Sequence, residues 1–335
     1  MSIVHIVRRL SFQIFVIFGL SILIFLLVRI IPGDPARLAL GPEASEEQVA
    51  NLRRELALDK PLHTQYYLFI KGLSEGKLGT SLVTRRDVSE DLMQRFPATL
   101  ELVMTAMFLA VLFGIPLGIK SALHKDKLID HFSRLFAFAG VSLPRYWIGL
   151  LLQILFSYHL GWLPFVGRIS GAPPTHISGL YLVDSLLTGN FSAFGDSFLH
   201  IMLPAFTLSL SPMAQIVRLC RSNMIEQMRK NYTLVAKANG MPDNLNIYKY
   251  MLKNALTTVL TVCGLLVGFL IGNAFLVESV FAWPGIAYFG VNSVIRKDFN
   301  AVIGVTLIVG LVYSVVNFIV DLLYGYLDPR IKIKK

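Results

Sequence analysis

Residues 256–277 read LTTVLTVCGLLVGFLIGNAFLV, a run of 22 residues without a single Asp, Glu, Lys or Arg. As a helix rising ~1.5 Å per residue it is about 33 Å long, enough to cross the ~30 Å hydrocarbon layer of a bilayer. No water reaches the peptide groups there, so the run must take a form that pairs every N–H and C=O internally, and a helix does. Working outward, residues 301–323 repeat the pattern on the C-terminal side, and 198–219, 134–157, 99–119 and 10–31 repeat it on the N-terminal side. These six stretches predict an all-α polytopic membrane protein with six transmembrane helices. The stretch 134–157 is the least regular, because Pro144 and Arg145 fall in its middle.

Composition points the same way. Of 335 residues, 54% are hydrophobic and 16% charged, against roughly 25% charged in a soluble domain. Mean hydropathy is +0.61. The N-terminus has the basic start of a signal peptide at Arg8 and Arg9. Its apolar run is too long for one and no small-x-small cleavage site follows, so it reads as a retained first span.

The distribution of the +10 net charge sets the orientation. With the N-terminus inside, the inner segments are 1–9, 120–132, 220–255 and 324–335, and they carry 15 Lys/Arg. The two short outer loops, 158–197 and 278–300, carry three, Arg168, Arg296 and Lys297. The outer loop 32–98 balances 9 basic against 10 acidic residues, and most of it lies beyond the range over which the positive-inside bias acts. Both termini are therefore expected in the cytoplasm. Charge spread over four segments rather than one stripe also argues against nucleic acid as a partner.

The resulting organisation is an N-terminal tail and first helix (1–31), an extracytoplasmic loop (32–98), a five-helix core (99–323) and a basic tail (324–335). Short helices are expected in the loop at 46–56, with Val49, Leu52 and Leu56 on one side, and at 61–72, with Pro61 in the first turn. Within the core, the cytoplasmic stretch 220–255 reads as two short helices joined at Gly240-Met241-Pro242, with Gly closing the first and Pro opening the second.

Inside the membrane, Gly264, Gly268 and Gly272 recur every fourth residue and make a small-residue ridge for close helix approach; Gly114 and Gly118 do the same. Arg145, costly at mid-span, calls for a polar cavity, a partner or a helix break at Pro144. Arg145, Asn273 and Glu278 are candidates for lining a translocation path. Gln153, Gln215, Asn317 and Asp321 are isolated polar residues suited to interhelical hydrogen bonds, with Asp321 near enough to Arg330 for an ion pair.

Catalytic signatures are missing. There is no G-x-x-x-x-G-K-[S/T], no H-E-x-x-H, no G-x-S-x-G and no dinucleotide fingerprint. The seven histidines are scattered, and Cys220 and Cys263 lack metal-ligand spacing. The chain therefore reads as neither an enzyme nor a holder of a cofactor or metal.

One set of motifs resembles a known family. Tyr232 through Gly240, continuing at Tyr250 through Leu256, resembles the EAA loop of permease subunits in binding-protein-dependent ABC importers. Further stretches are similar to the first (B-type) permease of dipeptide, oligopeptide and nickel systems. They are Pro32-Gly33-Asp34-Pro35, Leu56 through Pro61, Gln65-Tyr66, Phe96-Pro97-Ala98-Thr99-Leu100-Glu101-Leu102, Glu278 through Gly285, and Asp321 through Tyr324 with Asp328-Pro329-Arg330. The pattern departs at Leu234 and Val235, where Glu and Ala are usual, at Asn239, at Tyr250, and at Thr257-Thr258 in place of Leu-Pro.

The resemblance implies a type I ABC importer permease fold in the bacterial inner membrane, forming half of a path for dipeptides or oligopeptides. It implies a homologous second permease, two ATPase subunits that bind ATP and Mg, and an extracytoplasmic solute-binding protein. Tyr232, Ala236, Ala238, Gly240, Lys253, Asn254 and Ala255 would form the coupling element pushed by the ATPases, and loops 32–98 and 158–197 would receive the binding protein. Two alternatives stay open at this point: the same architecture carrying nickel or a metal chelate, and a stand-alone secondary transporter or channel.

Overall fold

The computed structural model describes residues 3–30, 35–41, 43–55 and 57–327. In chain order its helices are α1 (Ile3–Ile30), α2 (Pro35–Leu40), α3 (Glu46–Glu55), α4 (Leu62–Ser74), α5 (Val88–Leu123), α6 (Leu128–Ser142) and α7 (Arg145–Leu152). They continue with α8 (Tyr181–Leu187), α9 (Phe191–Met228), α10 (Asn231–Ala238), α11 (Asp243–Leu245), α12 (Leu252–Asn273), α13 (Phe275–Val280), α14 (Ile286–Ile295) and α15 (Phe299–Leu327). Two π-helical turns, Gln153–His159 and Asn246–Met251, prolong α7 and α11. Pro32, Gly33, Asp34, Leu56 and the tail from Asp328, including Arg330, lie outside the described residues.

The protein is all-α and polytopic. Five helical stretches are long and apolar enough to span a membrane: Val7–Arg29, Val88–Leu123, Phe191–Met228, Asp243–Val280 and Phe299–Leu322. A sixth results if Leu128–Ser142 and Arg145–His159 count as one span, and these two limbs meet at 107°. The break has a covalent cause. Pro144 has no N–H to donate and its ring forces Leu143 into extended backbone, so α6 stops at Ser142 and α7 restarts at Arg145. Arg145 is thus the first residue of a new helix rather than the middle of a continuous one.

The structure corrects the reading of 220–255. Cys220–Met228 belongs to α9, and the second element is no short helix: from Asp243 it runs unbroken through the π turn into α12. Pro242 and Pro61 each sit one residue before the first helical turn rather than inside it. The apolar runs mark where each helix meets lipid, but the helices outlast them because flanking polar residues continue the backbone bonding at little cost.

The chain divides into two compact units. One comprises Leu100–Trp283 and the described part from Val315; the other comprises the described residues up to Thr99 and Pro284–Ser314. In the first unit, α9 is the hub and packs against α6, α7, α8 and α12. Its Ile201, Leu208, Ile216 and Met224 are fully buried. Glycines let helices come close: a Cβ on Gly118 would lie 2.7 Å from Cys220 Cβ, and one on Gly140 would lie 3.1 Å from the Leu210 carbonyl oxygen.

In the second unit, Ile24, Val28, Phe299, Ile303 and Leu307 form one apolar cluster, and Val88, Leu92, Ile286, Phe289 and Ala301 another. Phe25, Tyr66 and Phe69 interlock edge-on and stacked, which holds α4 on α1. The fully buried Asp298 accepts from the Ser81 hydroxyl at 2.5 Å and the Val83 N–H at 3.2 Å. Those bonds tie the 81–83 turn to the start of α15.

Candidate functional site

The segment between α9 and α12 is held stiffly from inside. Helix α10 ends in a complete Schellman closure, with the Met241 N–H on the Ala236 carbonyl at 3.1 Å and the Gly240 N–H on the Lys237 carbonyl at 3.0 Å. That closure needs a left-handed residue, and Gly240 supplies it at φ +74. On the inner side of α10, the buried Thr233 hydroxyl donates to the Gln227 carbonyl at 2.9 Å, while Asn246 Nδ2 donates to the Thr233 carbonyl at 3.4 Å. Tyr232 Oη donates to Gln227 Oε1 at 2.8 Å and accepts from Asn254 Nδ2 at 3.3 Å. Asn223 Nδ2 reaches the Ala255 carbonyl at 3.2 Å. One short helix is thereby fastened both to the end of α9 and to the start of the α11–α12 rod.

The segment presents apolar side chains to its surroundings among exposed polar ones such as Lys237 and Asp243. Leu234 is 56% exposed, Val235 58% and Tyr248 58%, too much for residues that serve an interior. Ala238, Gly240, Lys253 and Asn254 are also exposed, Ala236 is half-buried, and Ala255 is buried. Of the residues singled out in the sequence, the structure brings Tyr232 and Asn254 together directly and leaves Lys253 and Ala238 on the outer face.

The membrane candidates occupy different settings. Arg145 lies over the Phe269 ring of α12 at 5.3 Å, a cation–π contact that rewards a guanidinium at low polarity. Asn273 Nδ2 bonds to its own helix, at the Phe269 carbonyl, 2.8 Å away. Glu278 is fully buried in α13. Gln153 donates to the Phe165 and Val280 carbonyls at 2.8 and 3.2 Å. The glycine ridge divides: a Cβ on Gly264 would lie 2.5 Å from Val320, Gly268 is buried, and Gly272 has open space around it.

Several polar clusters carried no signal in the sequence. Glu101 and Arg168, both 6% exposed, form an ion pair with Arg168 Nη2 at 2.5 Å and Nε at 3.1 Å from Glu101 Oε2. Glu101 Oε1 also accepts the Leu182 N–H, and Arg168 stacks on Tyr181 at 3.7 Å. Asp184 is fully buried, and burial alone would raise its carboxyl. The Ser178 hydroxyl and the N–H groups of Ser178, Ile177 and Gly179 outweigh burial and hold it below the usual carboxylate range. On the opposite side of the unit, the buried Asp130 takes a two-pronged bond from Arg221, at 2.5 and 2.7 Å, and a hydroxyl bond from Ser121 at 2.7 Å. Among the described residues, no group of three or more His, Cys, Asp or Glu could hold a metal ion.

Comparison with known proteins adds the family context. Residues 114–333 match the family described as binding-protein-dependent transport system inner membrane component, and residues 2–103 match its N-terminal companion. The probable D,D-dipeptide transport system permease protein DdpB of Escherichia coli (strain K12) is 44% identical over 320 residues, covering 95% of this chain and 94% of the relative. The di/tripeptide transport system permease protein DppB of Pseudomonas aeruginosa (strain UCBPP-PA14) is 41% identical over 332 residues, covering 98% of each. The glutathione transport system permease protein GsiC of Salmonella paratyphi A is 36% identical over 330 residues, covering 98% of this chain and 99% of the relative.

Proposed function

This chain belongs to the family of binding-protein-dependent transport system inner membrane components, and we propose that it is the permease subunit through which an ATP-driven importer brings short peptides into a bacterial cell. The observation that carries this reading is the stiff α10 segment, fastened to both α9 and the α11–α12 rod yet presenting Leu234, Val235 and Tyr248 outward. A helix so placed moves as one body with the rod that becomes a membrane span. A force applied to its apolar face by a motor subunit therefore reaches the bilayer without being lost in a slack loop. The names of the full-length relatives support peptides, including the tripeptide glutathione, over nickel as cargo.

In this account six spans cross the membrane with both termini in the cytoplasm, the bent α6–α7 pair being the third. A homologous second permease completes the path, two ATPases bind ATP and Mg and dock on the α10 face, and an extracytoplasmic binding protein delivers peptide to the outer loops 32–98 and 158–197. Tyr232, Ala236, Ala238, Gly240, Lys253, Asn254 and Ala255 form the coupling element. Arg145, Asn273 and Glu278 remain the candidates for the path, and Gly264, Gly268 and Gly272 for helix packing, with Gly272 free to meet a partner chain.

The test is Gly240→Val in the assembled transporter. A Cβ at Gly240 meets nothing within 4 Å, so the substitution acts chiefly through its left-handed backbone, at about 1–2 kcal/mol. ATP hydrolysis should continue while peptide uptake falls. Uptake still coupled to hydrolysis at the wild-type ratio would count against the role given to this turn.

A further inference from the structure

A cleft of about 420 Å³ runs along the seam of α6 and α9, outside every element assigned above to coupling or to the path. Its charged lining is basic, Arg134, Arg218 and Arg221, with Ser133 and Ser142 the other polar residues. Its remaining wall is chiefly apolar, with Phe138 and Val141 on α6 and Val217 on α9. Asp130 is bonded by Arg221 and lies 3.8 Å from Arg134, and Asp126 also acts on Arg221, so three lining arginines face two nearby acids and the balance stays positive. Arg134 also makes a 2.7 Å contact with His131 Nδ1. Arg218 is exposed and has no ion pair or hydrogen bond among the described residues.

The same face of α6 continues as bare hydrocarbon: Phe138 is 71% exposed, Leu135 65% and Val141 53%. Three arginines at one end of a greasy seam make an amphipathic site, with charge for a headgroup and apolar wall for a chain. An arginine fork suits a phosphate's oxygens. Under the orientation proposed above, Arg134, Arg218 and Arg221 stand where α6 and α9 leave the cytoplasmic leaflet, the depth of lipid phosphates in a membrane rich in anionic headgroups. We propose that this cleft is a binding site for an anionic phospholipid, with its phosphate held by Arg218 and Arg134, its acyl chain along Phe138 and Val141, and Arg221 kept in place by Asp130.

A second permease chain is the other body that could cover an apolar helix face. The net positive charge at the cleft favours a phosphodiester, and the experiment separates the two. The assembly is extracted in mild detergent, stripped of lipid, and titrated with phosphatidylglycerol or phosphatidylethanolamine under native mass spectrometry. Arg134→Gln and Arg218→Gln are the variants; Arg221 is left intact because its loss would strand Asp130. Wild type should bind phosphatidylglycerol preferentially. Each Gln substitution should weaken that binding about fivefold, phosphatidylethanolamine should lose less because its amine offsets its phosphate charge, and Arg218→Lys should recover part of the affinity.

Equal phosphatidylglycerol binding by wild type and the double variant overturns the site, as it would if a partner chain filled the cleft. So does equal affinity for the two lipids, or displacement of phosphatidylglycerol by a free dipeptide. None of these readings requires transport or an intact coupling loop, so the lipid site can fail while the importer assignment stands, and the reverse.

Discussion

Replacing Arg168 with Met would strip a buried carboxylate of its cation. Glu101 is 6% exposed, and among the described residues its one hydrogen-bond donor besides Arg168 is the Leu182 N–H, bonded to Oε1 at 2.8 Å. The substitution removes both guanidinium bonds to Oε2, the 2.7 Å bond to the Gly179 carbonyl and the stacking on Tyr181. Breaking a buried pair from one side costs about 3–5 kcal/mol, most of it from the stranded charge. Glu101→Gln should cost less, because its amide oxygen can still accept from Arg168 and Leu182. In the double variant no carboxylate is stranded, so its loss should fall short of the sum of the singles by about 1–3 kcal/mol. Unfolding in mixed detergent micelles, followed by helical signal and by emission of the buried Trp283, measures all four proteins. An Arg168→Met cost under about 1 kcal/mol, or strict additivity in the double variant, would refute the view that this pair anchors the 158–197 loop to α5.

Gly264→Leu should destabilise the first unit by about 1–3 kcal/mol, because even a Cβ there meets Val320. Gly272→Ala should leave the isolated chain within about 1 kcal/mol of wild type, and thermal unfolding of both separates a crowded from an open position on one ridge. Asp184→Asn probes the carboxylate cage of the 177–184 turn: because the folded-state pKa is depressed, the ionised carboxylate stabilises the protein above the unfolded-state value. That contribution fades as pH falls through the folded one. The gap between wild type and Asp184→Asn in unfolding midpoint should therefore be widest near neutral pH and narrow in acid; a pH-independent gap would remove the carboxylate from the account.

The fold was legible where chemistry repeats along the chain. Runs such as 256–277 force helices whatever their tertiary setting, and Pro144 announces its own break. Gly240 was readable as a helix stop because few residues tolerate φ +74. The rest depends on contacts far apart in sequence. Glu101 and Arg168 are separated by 67 positions, and neither charge alone says it is buried or paired. Asp130 meets Arg221 across 91 positions, so the basic cleft beside them is likewise invisible in either segment. The fusion of the second coupling helix with α12 was missed because Asn246–Met251 is polar and aromatic, without the apolar period that marks a span, yet its π turn carries the helix through.

The most direct test of the central claim is where the α10 face lies. Leu234→Cys places a reactive thiol at a 56% exposed position, while the native Cys220 and Cys263 are buried and give little background. A membrane-impermeant maleimide should label it in inverted membrane vesicles, with protection when the motor subunits are bound, and leave it unlabelled in intact cells. Labelling from the outside of intact cells would contradict both the orientation and the coupling role built upon it.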